Sequence, residues 1–583
     1  MGEMHMEILS QYCLALLVLC IAAVPLGGYI YKVMEGERTF MSPLLRPCEN
    51  FIYRLVGSAP DEDMSWKEYA FAALAFSSVS LVFLAVMLMA QGVLPLNPER
   101  LDGLSWHLAF NTAVSFVTNT NWQSYNGEKT LGYFAQSMGL TVQNFVSAAV
   151  GIAVLFAFLR GFTRVGSGHI GSFWKDTTRA LLYVLLPLCL IMSVALTSQG
   201  VMQNFKSYES VDLVESVTAS DGSSVTKQIV PMGPQASQVA PKQLGTNGGG
   251  FNGTNSANPL ENPTPLSNML QVLSILLIPA ALCFSFGRAV KDKRQGRAVF
   301  AAMFILLLTA LAVITFAESS ATPQLAQNGA VNISSVGQSG GNMEGKEVRF
   351  GIALSSLWAA FTTAASSGSV NAMLDSFTPL GGMTAMLMIQ LGEVVFGGVG
   401  SGLYGMLAFA LLTVFIAGLM VGRTPEYLGK KIGPYEMKMS VFICLATPVA
   451  ILVGSAVAVM VPSSAASLSN GGAHGLSEIL YAYTSAGGNN GSAFAGLNTD
   501  TPFFNVTLGL VMLFARFVPM TAALAAAGSL AVKKRSAESA GTLSTCNVMF
   551  VLLLIFVVLM IGALSFFPVL ALGPTAEHLI SIS

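Results

Sequence analysis

Apolar residues in this chain gather in long unbroken runs, separated by short polar stretches. Ten runs are long enough to cross a bilayer, which takes about 20 apolar residues: 8–31, 69–94, 132–158, 180–199, 266–286, 298–316, 380–421, 439–461, 505–532 and 548–570. Run 380–421 is too long for one straight crossing, and its middle is rich in glycine. Four connections on one side carry a small polar cluster: Thr-Asn-Thr-Asn at 118–121, Thr-Asn-Gly-Gly at 246–249, Ser-Ser-Gly-Ser at 366–369 and Asn-Asn-Gly-Ser at 489–492. With Thr120, Gly248, Gly368 and Gly491 as markers, the clusters recur every ~120–130 residues, and a fixed period means one unit used four times.

A single Gly/Asn/Ser cluster between spans is an ordinary outer turn. Four at one period are not explained that way. Irregular backbone at membrane depth is tolerated only where protein buries it or where it lines a watery cavity. Three clusters follow short apolar segments, 106–117, 352–365 and 476–484, which are too short to span and suit re-entrant helices. Such helices aim their negative C-terminal ends at a common axis. The second candidate, 234–244, is polar and contains Pro241, which distorts a helix interior. The expected fold is all-α and polytopic, one membrane domain over 1–583. It has four helix–loop–helix repeats (69–158, 180–286, 298–421, 439–532) around a pseudo-fourfold pore and an extra span at each end (8–31, 548–570).

Charge sets the expected orientation. Basic residues follow runs 1, 3, 5, 7 and 9: Lys32, Arg38, Arg46, Arg54 and Lys67; Arg160, Arg164, Lys175 and Arg179; Arg288, Lys291, Lys293, Arg294 and Arg297; Arg423, Lys430, Lys431 and Lys438; Lys533, Lys534 and Arg535. By the positive-inside rule these connections face the cytoplasm, placing both termini and all four loops outside. Glu3 and Glu7 ahead of the first run suit a retained anchor, since a removed signal peptide has a basic start. With 10% charged residues and a net charge of −1, the chain offers no basic face for nucleic acid. The seven cysteines fall in spans or cytoplasmic connections, where disulfides are not expected. The five histidines are scattered without ligand spacing, so no metal site is expected from them. Of the two long outer segments, 200–242 holds Asp221-Gly-Ser-Ser between Val/Thr runs, a hairpin pattern. The other, 318–349, is Gly/Asn/Ser-rich and reads as a surface loop.

The loop chemistry suits an alkali cation. Gly248, Gly249, Gly368 and Gly491 can take positive φ and turn carbonyls inward, and a carbonyl ring replaces an ion's hydration shell. Asn119, Asn121, Asn247, Asn255, Asn489 and Asn490 can brace the loops. No acid lies within them, whereas a Ca²⁺ or Mg²⁺ site normally includes carboxylates.

Four motifs carry a family resemblance: FVTNTNWQSYNGE (116–128), LGTNGGGFNGTNSANPLENPTPLSN (244–268), GEVVFGGVGSGLYGML (392–407) and GRTPEYLGKKI (422–432). Over roughly 8–570 the chain resembles the potassium-binding A subunit of the Kdp-type potassium-transporting ATPase, within the superfamily of potassium transporters. The resemblance implies a potassium filter made of Thr118, Asn119, Thr120 and Asn121; Thr246, Asn247, Gly248 and Gly249; Ser366, Ser367, Gly368 and Ser369; and Asn489, Asn490, Gly491 and Ser492. The family often has cysteine where this chain has Ser367. It also implies that the ion leaves sideways near Gln123, toward the partner pump subunit; Asn255 and Arg516 are taken with Gln123 as the candidate exit and coupling residues. Its expected setting is the bacterial plasma membrane, beside a catalytic P-type ATPase subunit and small accessory membrane subunits. Potassium is the only ligand expected, with no organic cofactor.

Inside the membrane, Gly397, Gly398, Gly400 and Gly402 interrupt the seventh run. They read as an unwound gate, supported by the superfamily resemblance, or as close packing of small residues. Glu393 belongs with this gate. Arg516 in the ninth run either blocks a straight cation path or serves a structural ion pair. There is no GxxxxGK[ST] loop and no Asp-Lys-Thr-Gly-Thr phosphorylation motif, so the chain cannot hydrolyse ATP alone. The alternatives are the ion-selecting subunit of a pump, a free-standing channel or symporter of the same superfamily, and a redox subunit. The last fails for want of haem-spaced histidines.

Overall fold

The computed structural model describes residues 2–57, 62–218, 222–320, 340–422, 424–536 and 543–582. Among these, ten helices are long and apolar enough to cross a membrane. The first, α1 (Gly2–Met34), is followed by a shorter helix, α2 (Ser42–Val56). Then a long–short–long order sets in. It runs α3 (Trp66–Met89), α4 (Trp106–Val117) and α5 (Ala135–Thr163), then α6 (Phe173–Ser198), α7 (Gln235–Leu244) and α8 (Pro265–Ala289). The third unit is α9 (Lys293–Ser319), α10 (Gly351–Ala364) and a broken helix, α11 (Pro379–Gln390) plus α12 (Ser401–Met420). The fourth is α13 (Pro434–Met460), α14 (Gly472–Gly487) and α15 (Pro502–Val532), and α16 (Val548–Ile582) closes the chain. Each short helix follows an even-numbered crossing, so all four enter from one side, called the outer side below.

Burial separates the long helices into two rings. In their most apolar windows, 83%, 72%, 67% and 61% of α5, α8, α12 and α15 is buried, against 33%, 44%, 44% and 56% of α3, α6, α9 and α13. The second long helix of each unit therefore lines the centre. α8, α11 and α15 start alike: Thr264, Thr378 and Thr501 each precede a proline, and each side chain accepts the backbone N–H of the third helical residue. The hydroxyl satisfies an orphan donor and proline at the first position lacks the N–H that would be wasted there. Leu14, Leu17 and Ile21 of α1, Phe71, Val79 and Phe83 of α3, and Leu552, Phe556 and Leu564 of α16 are exposed. Apolar faces of that extent suit lipid contact. The chain is a multi-pass membrane protein.

On the opposite face α2 is anchored by Glu49, which accepts from Tyr53 Oη and Tyr183 Oη, both at 2.7 Å, and pairs with Arg179 Nε at 3.0 Å. Burial pushes the Glu49 carboxyl up, but these donors outweigh it and hold it below its ordinary value.

Several expectations need adjustment. Run 69–94 stops as a helix at Met89, because Gln91 turns aside to donate to the carbonyls of Asp102 and Thr130, at 2.5 and 2.7 Å. The polar segment before the second loop is helical despite Pro241, which stands near its C-terminal end. The hairpin in 200–242 forms, pairing β1 (Glu209–Thr218) with β2 (Ser224–Val230), while its turn at 219–221 lies outside the described residues. Segment 318–349 is not simply a surface loop. Its middle, 321–339, lies outside the described residues, but Glu318 and Lys346 form a wholly buried ion pair at 2.6 Å.

Candidate functional site

The four short helices converge at their C-terminal ends, and in three of them the chain leaves by the same device. Two successive N–H groups fold back on one residue of the last helical turn. Thr120 and Asn121 donate to the Ser115 carbonyl (2.8 and 3.0 Å), and Asn247 and Gly248 to the Lys242 carbonyl (3.0 and 3.2 Å). Asn490 and Gly491 donate to Ser485, through its carbonyl and hydroxyl respectively, both at 2.9 Å. The matching φ angles are Asn119 65°, Thr246 51° and Asn489 44°, then Asn121 56°, Gly248 95° and Gly491 97°. Structurally, then, Asn121 and not Thr120 is the counterpart of Gly248 and Gly491. The first loop is Asn119–Trp122, one residue later than the sequence spacing suggests. Thr118 is displaced to the helix end, its hydroxyl on the Ser115 carbonyl at 3.2 Å.

The third loop departs from this pattern. No residue from Ser366 to Ser369 has a positive φ, and neither does Gly249. The requirement at Gly249 and Gly368 is close approach. A Cβ on Gly368 would lie 2.6 Å from the Gly491 carbonyl carbon and 2.8 Å from the Asn490 carbonyl oxygen, and one on Gly249 would lie 2.9 Å from Asn121 Cβ. Thr246 is the strained position, since a β-branched residue rarely takes positive φ. Its hydroxyl accepts the Val399 N–H at 3.0 Å.

The loops close into a ring, each joined to the next. Asn119 Nδ2 donates to the carbonyls of Gly245 and Thr246, at 3.2 and 3.0 Å. Gln243 Nε2 reaches Ser369 Oγ at 2.8 Å, and Gly368 N–H reaches the Asn247 carbonyl at 3.4 Å. Asn490 Nδ2 spans to the carbonyls of Thr362 and Ala365, both at 2.9 Å. Asn489 Nδ2 completes the circle at Thr120 Oγ1, 2.9 Å away. The expected asparagine braces are therefore present, and α5 adds Asn144 on Asn121 and Ser147 on Asn119, both at 2.7 Å.

Not every loop carbonyl is free. Asn255 Nδ2 takes that of Gly248 at 2.6 Å and Trp358 Nε1 takes that of Ser369 at 2.8 Å. A carbonyl has two lone pairs, so each can still accept a second partner. Asn121 Oδ1 and the hydroxyls of Ser366 and Ser367 are buried with no hydrogen-bond partner among the described residues. Each such atom costs about 1–3 kcal/mol if nothing fills the gap.

Asn255 stands beside the ring and carries a charge relay that sequence reading missed. The Lys242 ammonium donates to Asn255 Oδ1, Ser256 Oγ and Glu261 Oε2, at 2.7, 2.9 and 2.8 Å. Lys242 and Glu261 are both wholly buried. The ammonium and the Ser256 N–H, at 2.9 Å, both hold Asn255 Oδ1, which fixes the amide's orientation and aims its N–H₂ at Gly248. Gln123 stands on the outgoing limb of the first loop, on the outer side. Its amide is held both ways by Gly250, donating at 3.1 Å and accepting at 2.9 Å. In this structure Gln123 and Asn255 are clamps between loop segments.

Directly beneath the ring lies the break in the seventh crossing. It runs from Leu391 to Gly400, with Gly392, Glu393, Phe396, Gly397 and Gly400 at positive φ. Gly402, expected in the unwound stretch, belongs to the first turn of α12. The break is tied upward by Gly397 N–H on the Ala364 carbonyl (2.9 Å) and by Val399 on Thr246. A Cβ on Gly400 would collide with the Gly151 carbonyl of α5, so the unwound chain also packs tightly. A cavity of about 20 Å³ opens here, lined by Glu393, Tyr404, Asn489 and Arg516, room for about one water. Arg516 is buried and makes no ion pair among the described residues.

A model of the family described as "Potassium-transporting ATPase A subunit" matches residues 13–579. A potassium-transporting ATPase potassium-binding subunit from Clostridium perfringens is 66% identical over 569 residues, covering 98% of both chains. One of the same name from Desulfovibrio desulfuricans is 64% identical over 577 residues, 98% of this chain and 99% of that one. Among solved structures, the potassium transporter TrkH from Vibrio parahaemolyticus aligns with a TM-score of 0.50 at 15% identity, over 86% of this chain and 96% of that one. That likeness concerns the fold.

Proposed function

The chain belongs to the family of potassium-transporting ATPase A subunits, and from that premise we propose that the ring of four loops is its potassium filter. The chain is the potassium-binding subunit of an ATP-driven uptake complex. It is not itself a catalyst, and ATP is hydrolysed by a separate subunit. The observation that carries the reading of the site is the closed ring of four loops, neutral throughout, at the convergent C-terminal ends of the four short helices. Neutral oxygens favour a monovalent cation, and a shared geometry in three loops sets one cage size.

Arg516 gives the ion a direction. A unit charge ~4 Å from a like charge costs about 4 kcal/mol at an effective dielectric of ~20, so a cation leaving straight down meets a barrier. The break at 391–400 serves as the gate and Glu393 as its local counter-charge, which leaves a sideways route to the ATPase partner. Small accessory membrane subunits complete the complex. Gln123 and Asn255 hold the filter's shape.

The test is ATP hydrolysis by the co-purified complex against potassium and sodium. Potassium alone is expected to stimulate it. Arg516→Ala is expected to leave the half-maximal potassium concentration within about threefold, under 0.7 kcal/mol, and to let potassium cross proteoliposomes without ATP. A chain that conducts potassium without stimulating any ATPase would make it a free-standing channel. A tight Arg516→Ala variant would remove the barrier role.

We place the loops outside, in a bacterial plasma membrane, because the basic residues gather at the opposite ends of the helices. Ser223→Cys in the exposed hairpin is then expected to react with an impermeant thiol reagent in intact cells, and Cys48, exposed on the other face, is not. Labelling of Cys48 alone would invert the orientation.

A further inference from the structure

Away from the ring, on the outer side, the fold assembles a cluster that the scattered histidines gave no hint of. His474 lies in the first turn of α14 with its imidazole between two acids from distant parts of the chain. Nε2 is 3.1 Å from Asp375 Oδ1, and Nδ1 is 2.8 Å from Glu577 Oε1. Glu478 follows four residues later, on the same face of the helix. One ligand atom from each of Asp375, His474 and Glu478 can be chosen so that all three lie within 4.8 Å of one another.

Glu478 is wholly buried. Its Oε1 accepts from Asn470 Nδ2 at 2.7 Å, while Oε2 has no hydrogen-bond partner among the described residues. A buried carboxylate oxygen without a partner, beside a second carboxylate, is costly unless a cation joins them. Glu577 engages Nδ1, the arrangement in which an outer carboxylate fixes the tautomer, and a metal would take the place of the proton shared between Nε2 and Asp375, releasing it to solvent. A cavity of about 700 Å³, bordered by Asp375, His474 and Glu577, gives access from solvent.

We propose that Asp375, His474 and Glu478 form a site for a divalent transition metal of the zinc class, with Glu577 orienting the imidazole. One nitrogen and two carboxylates suit zinc, which takes both ligand types at about 2.0–2.2 Å. They disfavour calcium and magnesium, which prefer oxygen alone. The site joins the segment after the third loop to the helix before the fourth, with Glu577 drawing in the C-terminal helix. A bound ion stiffens that half of the ring from outside.

The experiment titrates the full chain in its complex, stripped with chelator, with Zn²⁺ by calorimetry and with Co²⁺ by visible absorption. One ion per chain is expected, and excess Zn²⁺ should erase the cobalt spectrum. His474→Ala and Glu478→Gln should each weaken binding at least tenfold. Glu577→Gln should weaken it about 10–100-fold, as for an outer partner, and His578→Ala should leave it unchanged. Melting of each variant in chelator shows whether it is folded. If a variant is not, the wild-type cobalt titration decides alone. Absence of stoichiometric binding to the wild type, or unchanged binding in both His474→Ala and Glu478→Gln, overturns the site.

Discussion

Gly248→Ala is expected to lower apparent potassium affinity at least about 100-fold, some 2.8 kcal/mol, and to relax selectivity over sodium. Gly248 has φ 95°, a conformation that costs an L-residue about 1–2 kcal/mol. Space is the larger obstacle. The new methyl would run into the backbone N–H of Gly368 and lie 2.5 Å from Gly368 Cα and Ser369 N. Those atoms belong to the neighbouring loop, so relief comes only by opening the ring. Gly200 is a built-in control: its φ is 97°, but a Cβ there would meet nothing closer than Pro263 Cγ at 3.8 Å. Gly200→Ala carries the backbone strain without the collision, and its potassium curve should stay within about threefold of wild type. The measurement is potassium- and sodium-dependent ATP hydrolysis by assembled complexes. Overlapping curves for Gly248→Ala and Gly200→Ala would remove the second loop from the filter.

Lys242→Met is expected to destabilise the chain by about 3–5 kcal/mol, because Glu261 is left as an uncompensated buried charge. Thermal melting of the detergent-solubilised chain reads this directly. The double variant Lys242→Met/Glu261→Gln removes both charges and keeps an acceptor for the Asn252 N–H that Glu261 Oε1 holds at 2.7 Å. Most of the stability should return, since replacing both members of a buried pair is far cheaper than orphaning one. Potassium affinity should not return with it. Without the ammonium, the Asn255 amide keeps the Ser256 N–H at 2.9 Å but loses its charged donor, and the Gly248 carbonyl's partner is held less firmly. A double variant with wild-type melting and wild-type affinity would leave the relay a merely structural one.

Much of this architecture was legible in the sequence, and the failures have physical causes. Apolar run length found the ten crossings seen among the described residues, and apolarity marked three of the four short helices. The fourth, Gln235–Leu244, escaped because it is polar. Gln235, Gln238, Lys242 and Gln243 face a buried hydrogen-bond network, and only Ala236, Val239, Ala240 and Leu244 pack into the apolar core. The register of the first loop was ambiguous because Thr-Asn-Thr-Asn repeats every two residues. Asparagine tolerates positive φ, so composition did not say which residue takes the place of glycine. Lys242 with Glu261, and His474 with Asp375 and Glu577, stayed hidden for a different reason. Only the tertiary fold brings them together, and neither local period nor motif spacing encodes it.

The third loop breaks the backbone pattern that the other three share, and a single polypeptide makes that possible. In an assembly of four identical subunits, any change in a loop is imposed four times at once, and a small misfit becomes a large one. Here a substitution touches one quadrant, so the binding cage can be adjusted in steps a quarter as large. Serine at position 367 can drift while Gly248 and Gly491 hold the cage's dimensions. Four unequal walls also abolish the rotational equivalence of the exits. An ion in a perfectly fourfold cage has no preferred way out to the side, whereas on the proposed reading one held in this ring has a compass.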